Sequence, residues 1–158
     1  MAEIDVLAVD HLDLTVNDLE RSIAFYDRVL SALGMRRIAH EGYVAWGNAH
    51  MNIGLRAAAD AQRGVPFDRT RAGFHHLALK ARSRADVDRF HAFLQREGVT
   101  VLDAPAEYPQ YGPGYYALFF ADPDGLKLEL VHFPWGYWRK VQESGQDDRP
   151  RDGVKTAP

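Results

Sequence analysis

Two histidines and one glutamate are the side chains of this sequence with the clearest potential for chemistry. His11 and His76 each open a short alternating segment, and Glu129 lies inside a third segment of the same kind, Leu-Lys-Leu-Glu-Leu. The chain has no cysteine, which excludes disulfides, thiolate nucleophiles and cysteine-ligated zinc or iron–sulfur sites. A metal site in this protein would therefore use imidazole and carboxylate ligands.

Strand alternation places each of these three side chains on the face of its strand that is opposite the leucines. Successive side chains of a β-strand point to opposite faces, so the leucines of each segment share one face and His11, His76 and Glu129 lie on the other. The leucine faces suit packing beneath helices. Singly, such a histidine is usually hydrogen-bonded or exposed, and such a glutamate usually faces solvent. Together, two imidazoles and a carboxylate suit Fe²⁺, Mn²⁺, Co²⁺, Ni²⁺ or Zn²⁺, and both interpretations are open on these residues alone.

The two histidine segments belong to an internal repeat. The same spacing of 65 residues separates His11 from His76 and Phe25 from Phe90. Each segment leads into an amphipathic helical pattern that starts with a capping signal and is followed by turn-forming pairs. The sequence therefore predicts one strand–helix–three-strand unit that occurs twice.

The predicted elements divide the chain into four parts. The first helix should run from Asn17 as N-cap to Gly34, and the second from Ser83 to Gly98. The strands are predicted at residues 6–16, 35–40, 43–47, 50–56, 76–81, 99–105, 115–121 and 126–132. We expect an α+β fold divided into residues 1–56, a linker at 57–73, a second unit at 74–132 and a largely flexible C-terminal extension at 133–158.

Composition and charge exclude several functional classes. The formal net charge is −3 and no run of Lys or Arg stands out, so we expect no nucleic-acid partner. No apolar run approaches the roughly 20 residues of a membrane span. Residues 1–10 lack the basic and apolar regions of a signal peptide, which makes a cytoplasmic location the expectation.

Three segments, in this order, resemble the vicinal oxygen chelate superfamily, the group of glyoxalase I, bleomycin-resistance proteins and extradiol dioxygenases. They are residues 11–26, residues 74–79 and the Asp-Pro-Asp-Gly-Leu-Lys-Leu-Glu-Leu segment at 122–130. The resemblance implies two βαβββ modules that form a cup-shaped, partly open β-barrel with helices outside. It also implies divalent metal ligands at His11, His76 and Glu129, a small-molecule substrate and a homodimer whose subunits can share a site.

Two departures from the family pattern bear on the reaction. Gly54 occupies the position at which glyoxalase I and methylmalonyl-CoA epimerase have a fourth ligand, and Asn52 or His50 on the same strand face could substitute or merely line the pocket. Phe119 occupies the position of the tyrosine of extradiol dioxygenases, ten residues before the ligand glutamate. An aromatic loop supplies two further candidates for the substrate pocket, Tyr111 and Tyr116, because tyrosines offer apolar area with a polar tip.

Three hypotheses about function follow from these residues. The first is a metal-dependent enzyme that acts on a small oxygen-bearing organic molecule, as a dioxygenase, a lyase or isomerase, or a thiol transferase. The second is a metal-independent drug- or metabolite-binding protein, and the third is an interaction module. Three intact metal ligands favour the enzyme, because a binding protein needs none.

Overall fold

The protein is described by a computed structural model that covers residues 8–40, 43–134 and 136. Its elements form two consecutive units, each a strand, a helix and three strands. The first unit contains β1 (His11–Val16), α1 (Leu19–Ala32), β2 (Arg36–His40), β3 (Tyr43–Gly47) and β4 (Asn52–Ala57). The second contains β5 (Leu77–Lys80), α2 (Arg84–Arg96), β6 (Val101–Glu107), β7 (Tyr116–Ala121) and β8 (Lys127–His132).

Each unit folds its strands into one four-stranded mixed sheet. The strand orders are β1-β4-β3-β2 and β5-β8-β7-β6, so the two sheets have the same topology. In each sheet the first and last strands of the unit run parallel, and the other neighbours run antiparallel. The predicted α+β fold with two βαβββ modules is confirmed, and the units are called the first and second modules below.

The helices begin where short polar side chains cap them. Ser83 caps α2 as predicted, because its hydroxyl accepts a hydrogen bond from the Asp86 amide. The predicted N-cap of α1 is wrong by one residue: the Asp18 carboxylate, not Asn17, accepts from the Arg21 amide at 3.0 Å. Both helices end where expected, since Gly34 and Gly98 adopt the positive φ values that follow a helix C-terminus.

Both modules bury their leucine faces in one shared hydrophobic core. The core joins residues of both helices and of both sheets, among them Leu14, Leu30, Val87 and Leu128. A buried hydrogen bond also links the modules, because the Tyr26 hydroxyl on α1 donates to Asp122 Oδ2 in the β7–β8 turn at 2.9 Å. The helix side of each sheet therefore faces the other module, and the opposite faces are turned away from this core.

Several predictions concern segment ends. The strand predicted at 6–16 is shorter, because residues 8–10 precede β1 without strand structure. Apart from residues 133, 134 and 136, the predicted C-terminal extension lies outside the described residues. Within the described ranges, no helix is both long and apolar enough to cross a membrane.

Candidate metal centre

Glu129 is a buried carboxylate in the middle of the second sheet. Its side chain is 1% exposed, and β8 alternates so that Leu128 and Leu130 enter the shared core while Glu129 points to the opposite face. On that face Glu129 pairs in register with Phe119 of β7 and with Ala78 of β5. A carboxylate in such a place needs partners for both oxygens, since burial without them is costly.

The two oxygens of Glu129 have different neighbours. Oε1 accepts a hydrogen bond from the Tyr115 hydroxyl at 2.5 Å, and Oε2 lies 3.2 Å from His76 Nε2. Burial raises the pKa of Glu129, while the Tyr115 hydrogen bond and then the Lys127 charge oppose that rise. Burial, and next the bond to Glu129, raise the pKa of Tyr115 well above its ordinary value, so the phenol is a stable donor. Oε2 is thereby the oxygen directed toward the imidazole.

His76 is suited to act as a ligand in its neutral form. Burial lowers the pKa of His76, and the charges of Lys127 and Arg69 lower it further. Its Nδ1 lies 2.7 Å from Nδ1 of His75, so one ring donates a proton to the other. Two ligand atoms bound at right angles about 2.1 Å from one cation would lie about 3 Å apart. The 3.2 Å between His76 Nε2 and Glu129 Oε2 is close to that spacing.

The third predicted ligand, His11, lies elsewhere in the chain. His11 opens β1 at the edge of the first sheet, its side chain is 61% exposed, and its Nδ1 lies 2.9 Å from Asp10 Oδ2. That hydrogen bond raises the pKa of His11 and holds Nδ1, which leaves Nε2 as the free nitrogen. Among the residues that the structure describes, no three side chains of ligand type gather in one place. One chain therefore brings His76 and Glu129 together, but not His11.

A polar network covers the sheet face on which His11 lies. The Tyr43 hydroxyl donates to Asp13 Oδ1 at 2.9 Å, and Arg56 Nε donates to Asp13 Oδ2 at 2.8 Å. The Arg56 guanidinium also lies over the Tyr43 ring, 5.3 Å from its centroid. A Cβ atom at Gly54 would lie 2.3 Å from the Tyr43 hydroxyl and 2.4 Å from Asp13 Oδ1. The network therefore fills the space that a side chain at residue 54 would occupy.

The sequence profile that matches this chain is that of the Glyoxalase/Bleomycin resistance protein/Dioxygenase superfamily, over residues 8–130. The chain belongs to this superfamily. The match spans both modules, so the vicinal oxygen chelate resemblance seen in the sequence is confirmed.

Individual relatives agree with this assignment. The chain is 32% identical to the uncharacterized protein YqjT of Bacillus subtilis over 122 residues, which is 77% of this chain and 95% of that protein. It is 27% identical to the metallothiol transferase FosB of Lysinibacillus sphaericus, over 79% of this chain and 82% of that protein. A glyoxalase/bleomycin resistance protein structure from Albidiferax ferrireducens superposes with a TM-score of 0.62 at 27% identity, covering 79% of this chain and 98% of that one.

The other pocket residues predicted for this superfamily member are distributed over both sides of the sheets. Asn52 pairs with His11 across β1 and β4 and therefore lies on the same face. Tyr111 is 50% exposed, and its ring centroid lies 5.2 Å from that of Tyr115, which holds Glu129. These two residues border the faces on which the predicted ligands lie.

Tyr116 and His50 lie on the helix side instead. The Tyr116 hydroxyl donates to Asp88 on α2, and its ring packs against the shared core. His50 borders a crevice of about 830 Å³ between the modules, together with Met35, Phe93 and other residues of the helix side. The structure thus places neither residue beside Glu129, because strand alternation directs Tyr116 toward α2 and the β3–β4 turn carries His50 to the other side.

Tyr115 contacts Glu129 but is not among the site residues predicted from the sequence. The sequence signal for Tyr115 is strand alternation. Because Tyr116 points to the helix side, the side chain before it points to the face of Phe119 and Glu129. The Asp13–Tyr43–Arg56 network has no comparable signal, since it depends on the register between β1 and β4.

Proposed function

We propose that this protein is a divalent-metal-dependent enzyme of the vicinal oxygen chelate type that acts on a small oxygen-bearing organic molecule. In this proposal His76 and Glu129 of one chain hold the ion together with His11 of a second copy. The observation that carries the proposal is the buried Glu129 carboxylate, whose Oε2 lies 3.2 Å from the imidazole of His76.

The side chains present fit such an ion. Fe²⁺, Mn²⁺, Co²⁺, Ni²⁺ and Zn²⁺ all accept a set of two imidazoles and one carboxylate with positions left open. The lowered pKa of His76 keeps its imidazole in the form that binds a cation. Burial raises the pKa of Glu129, which means that it disfavours the ionised carboxylate. A cation beside Oε2 would stabilise that ionised form.

The arrangement of the modules supports a second copy in this proposal. Each sheet buries its helix side in the shared core, and among the described residues of one chain no third side chain of ligand type lies beside His76 and Glu129. The closed two-fold dimer is the commonest soluble assembly and gives two equivalent positions for every pair of faces. Pairing the first sheet of one copy with the second sheet of another would bring the three ligands together.

The chemistry of the bound ion would be Lewis-acid stabilisation of charge on neighbouring substrate oxygens. The protein groups have separate tasks. Tyr115 fixes Glu129 through Oε1, the neighbouring His75 fixes the ring of His76 through Nδ1, and Asp10 holds His11 through Nδ1. Each ligand is thereby oriented by a second group, which is how metal sites usually tune affinity.

Metal analysis tests the proposal directly. Protein purified without an affinity metal and then reconstituted with each of the five ions should bind about one ion per chain, removable by chelators. Glu129→Gln and His76→Ala should abolish or greatly weaken binding, whereas Glu20→Gln and His91→Ala on the helices should leave it unchanged. A wild-type chain that binds none of the ions would refute the proposal and favour a metal-independent binding protein.

The residues around the site also predict which substrates are poor. Phe119 adjoins Glu129 in register where an extradiol dioxygenase has a tyrosine, and Gly54 has no side chain to act as a fourth ligand or base. We therefore expect weak or no turnover of simple catechols and of the glutathione–methylglyoxal adduct by the metal-loaded protein, followed by absorbance. Rapid turnover of either compound would show that another residue supplies the missing group.

A further inference from the structure

Arg56 is held in a fixed orientation on the outward face of the first sheet. This face, called the His11 face below, carries His11, Asp13, Tyr43, Asn52, Gly54 and Arg56. Asp13 accepts hydrogen bonds from both Arg56 Nε and the Tyr43 hydroxyl, and the Arg56 guanidinium lies over the Tyr43 ring. Arg56, Asp13 and Tyr43 are therefore all in mutual contact. A long side chain fixed in this way loses less entropy when it binds a further group.

The contacts of Arg56 with the residues that the structure describes leave most of its donors for a ligand. A guanidinium carries five N–H donors, of which one is on Nε and four are on the two Nη groups. Asp13 is bonded to Nε, and the side chain as a whole is 60% exposed. Paired Nη groups match the spacing of two oxygens on a carboxylate or phosphonate.

Gly54 indicates how tightly this arrangement is built. A methyl group there would come within 2.4 Å of both the Tyr43 hydroxyl and Asp13 Oδ1, so both side chains would have to move. The absence of a side chain at residue 54 is therefore a condition for the Tyr43–Asp13 hydrogen bond and for the place of Arg56.

An anion at the proposed site would be bound by the fixed guanidinium rather than by a net positive charge of the faces. On the two outward faces Arg56 is paired with Asp13, and Lys127, whose ammonium lies over Phe119, adjoins Glu129, while Asp10 beside His11 and Asp103 in register with Phe119 add negative charge. Arg36 lies in the same cross-strand row as Gly47, Asn52 and His11 and adds a positive charge. A divalent ion held by neutral histidines would make the surroundings more positive still.

The strand register sets the distance between the guanidinium and the ligand histidine. Arg56 pairs with Thr15, but its guanidinium is bonded to Asp13. The Asp13–Gly54 pair is two residues along the strands from the His11–Asn52 pair, a separation of about 7 Å. A substrate could therefore reach both places if its anionic group and its metal-binding oxygens are separated by a few bonds.

We infer that the substrate of this site carries an oxyanion group, a carboxylate or a tetrahedral group such as a phosphonate, which the Arg56 guanidinium binds. The inference rests on the proposed function, since it names the substrate class of that same site. It assigns to Asp13 and Tyr43 the role of positioning residues, because they act through Arg56.

The test uses anion binding to the full-length, metal-free protein, so that no ion competes for the probe. With ¹⁵N-labelled arginine, the Nε–Hε resonance of Arg56 is followed by NMR during titration with sodium sulfate, and in parallel with sodium acetate, at constant ionic strength. We expect a saturable shift with a dissociation constant on the order of millimolar. Arg21 is the internal control: it is 54% exposed and bound to Asp124, and its resonance should not show saturation.

Variants test whether the network matters. Arg56→Lys keeps the charge but loses the two Nη groups, so it should weaken sulfate and acetate binding about tenfold as seen by competition or by the resonances of neighbouring residues. Gly54→Ala should weaken binding by a similar factor, because a methyl group there displaces the Tyr43 and Asp13 groups that hold Arg56. Arg21→Lys should leave binding unchanged, and circular dichroism reports whether each variant is folded.

The outcomes separate this inference from the proposed function. A non-saturating Arg56 shift, or one equal to that of Arg21, overturns the inference even if the protein binds a metal. Saturable sulfate or acetate binding that depends on Arg56 and Gly54 supports it for oxyanions as a class, since the two probes differ in charge as well as in shape. Failure of metal binding in the separate reconstitution experiment refutes the proposed function alone.

Discussion

The Glu129 carboxylate divides its two oxygens between a phenol and an imidazole. Tyr115 donates to Oε1 from a position that burial and the neighbouring carboxylate keep protonated, and Oε2 is directed toward His76. A carboxylate held in this way would bind an ion through one oxygen. In the proposed metal site Tyr115 would orient a ligand without being one, a role that usually affects metal affinity strongly.

Removing this hydroxyl should weaken metal binding. We expect Tyr115→Phe to lower Co²⁺ affinity by about tenfold or more, because Glu129 loses its fixed orientation. The affinity is measured by competition with a chelator, and the Co²⁺ absorption spectrum reports a change in coordination. Tyr108→Phe is the matched control, since the Tyr108 ring belongs to the same aromatic cluster. Equal losses in both variants would indicate a general packing effect and contradict the role of Tyr115.

At the scale of single residues, sequence reasoning finds what depends on alternation within one strand. His76 and Glu129 could be assigned to one face because the leucines beside them fix the parity of each strand. The place of His11 relative to them could not, since it depends on how two modules pack. The Arg56–Asp13 ion pair also escapes such reasoning, because it joins residues 43 positions apart in the sequence.

At the scale of elements, α1 holds the first module against the second. Asn17 precedes the helix and connects it to two other segments. Its backbone amide donates to Asp124 in the β7–β8 turn, and its side chain forms hydrogen bonds with the backbone of Gly64 and Val65 in the linker. This explains why the N-cap is Asp18. A sequence signal for capping cannot show that the nearer candidate is used by a distant segment.

The buried Tyr26–Asp122 hydrogen bond should make stability depend on pH. Burial raises the pKa of Asp122, so its ionised form costs stability at neutral pH, and this cost is relieved as the pH falls toward the ordinary carboxyl pKa. Tyr26→Phe removes a donor to the ionised form and would raise this pKa further. We expect a loss of about 1–3 kcal/mol in the free energy of unfolding at neutral pH, and a smaller loss in acid.

Urea denaturation of the metal-free protein at several pH values measures this difference. The control is Tyr116→Phe, which removes a hydroxyl that donates to the exposed Asp88 and should cost about 0.5 kcal/mol or less. A Tyr26→Phe effect that is constant across pH would show that lost packing, not the ionised Asp122, is responsible.

At the scale of the whole molecule, the shared core determines which faces are available for assembly. The internal repeat and the alternation of apolar residues sufficed to predict two βαβββ modules and the buried faces of their strands and helices. They could not show that the helix sides of both modules join in one core, because contacts between modules have no periodic signature in the sequence. Since His11 does not join His76 and Glu129 among the described residues of one chain, the proposed site takes it from a second copy.

Mixing two damaged chains tests whether sites are shared. In a mixed dimer of His11→Ala and Glu129→Ala, one shared site has both lesions and the other has none. After dissociation and reassembly at equal amounts, about a quarter of the sites should bind metal again, since about half of the dimers are mixed. Light scattering should give twice the mass of one chain.

The control mixture combines His76→Ala with Glu129→Ala. Both lesions lie in the second module, so every site has at least one of them in either arrangement and no binding should return. Recovery in neither mixture would mean that each chain builds its own site, and a monomer in light scattering would exclude sharing.

The bond between Tyr26 and Asp122 also bears on the history of the repeat. The residue that corresponds to Tyr26 at the 65-residue spacing is His91, so the two halves differ at this contact. If the chain arose by duplication of one module, this asymmetry made each copy dependent on the other, since each now supplies half of a buried polar pair. Neither partner can then be replaced alone without leaving a buried group unpaired. Among descendants of this lineage, substitutions at positions 26 and 122 are therefore expected to occur together, and a gene that encodes one half should not persist by itself.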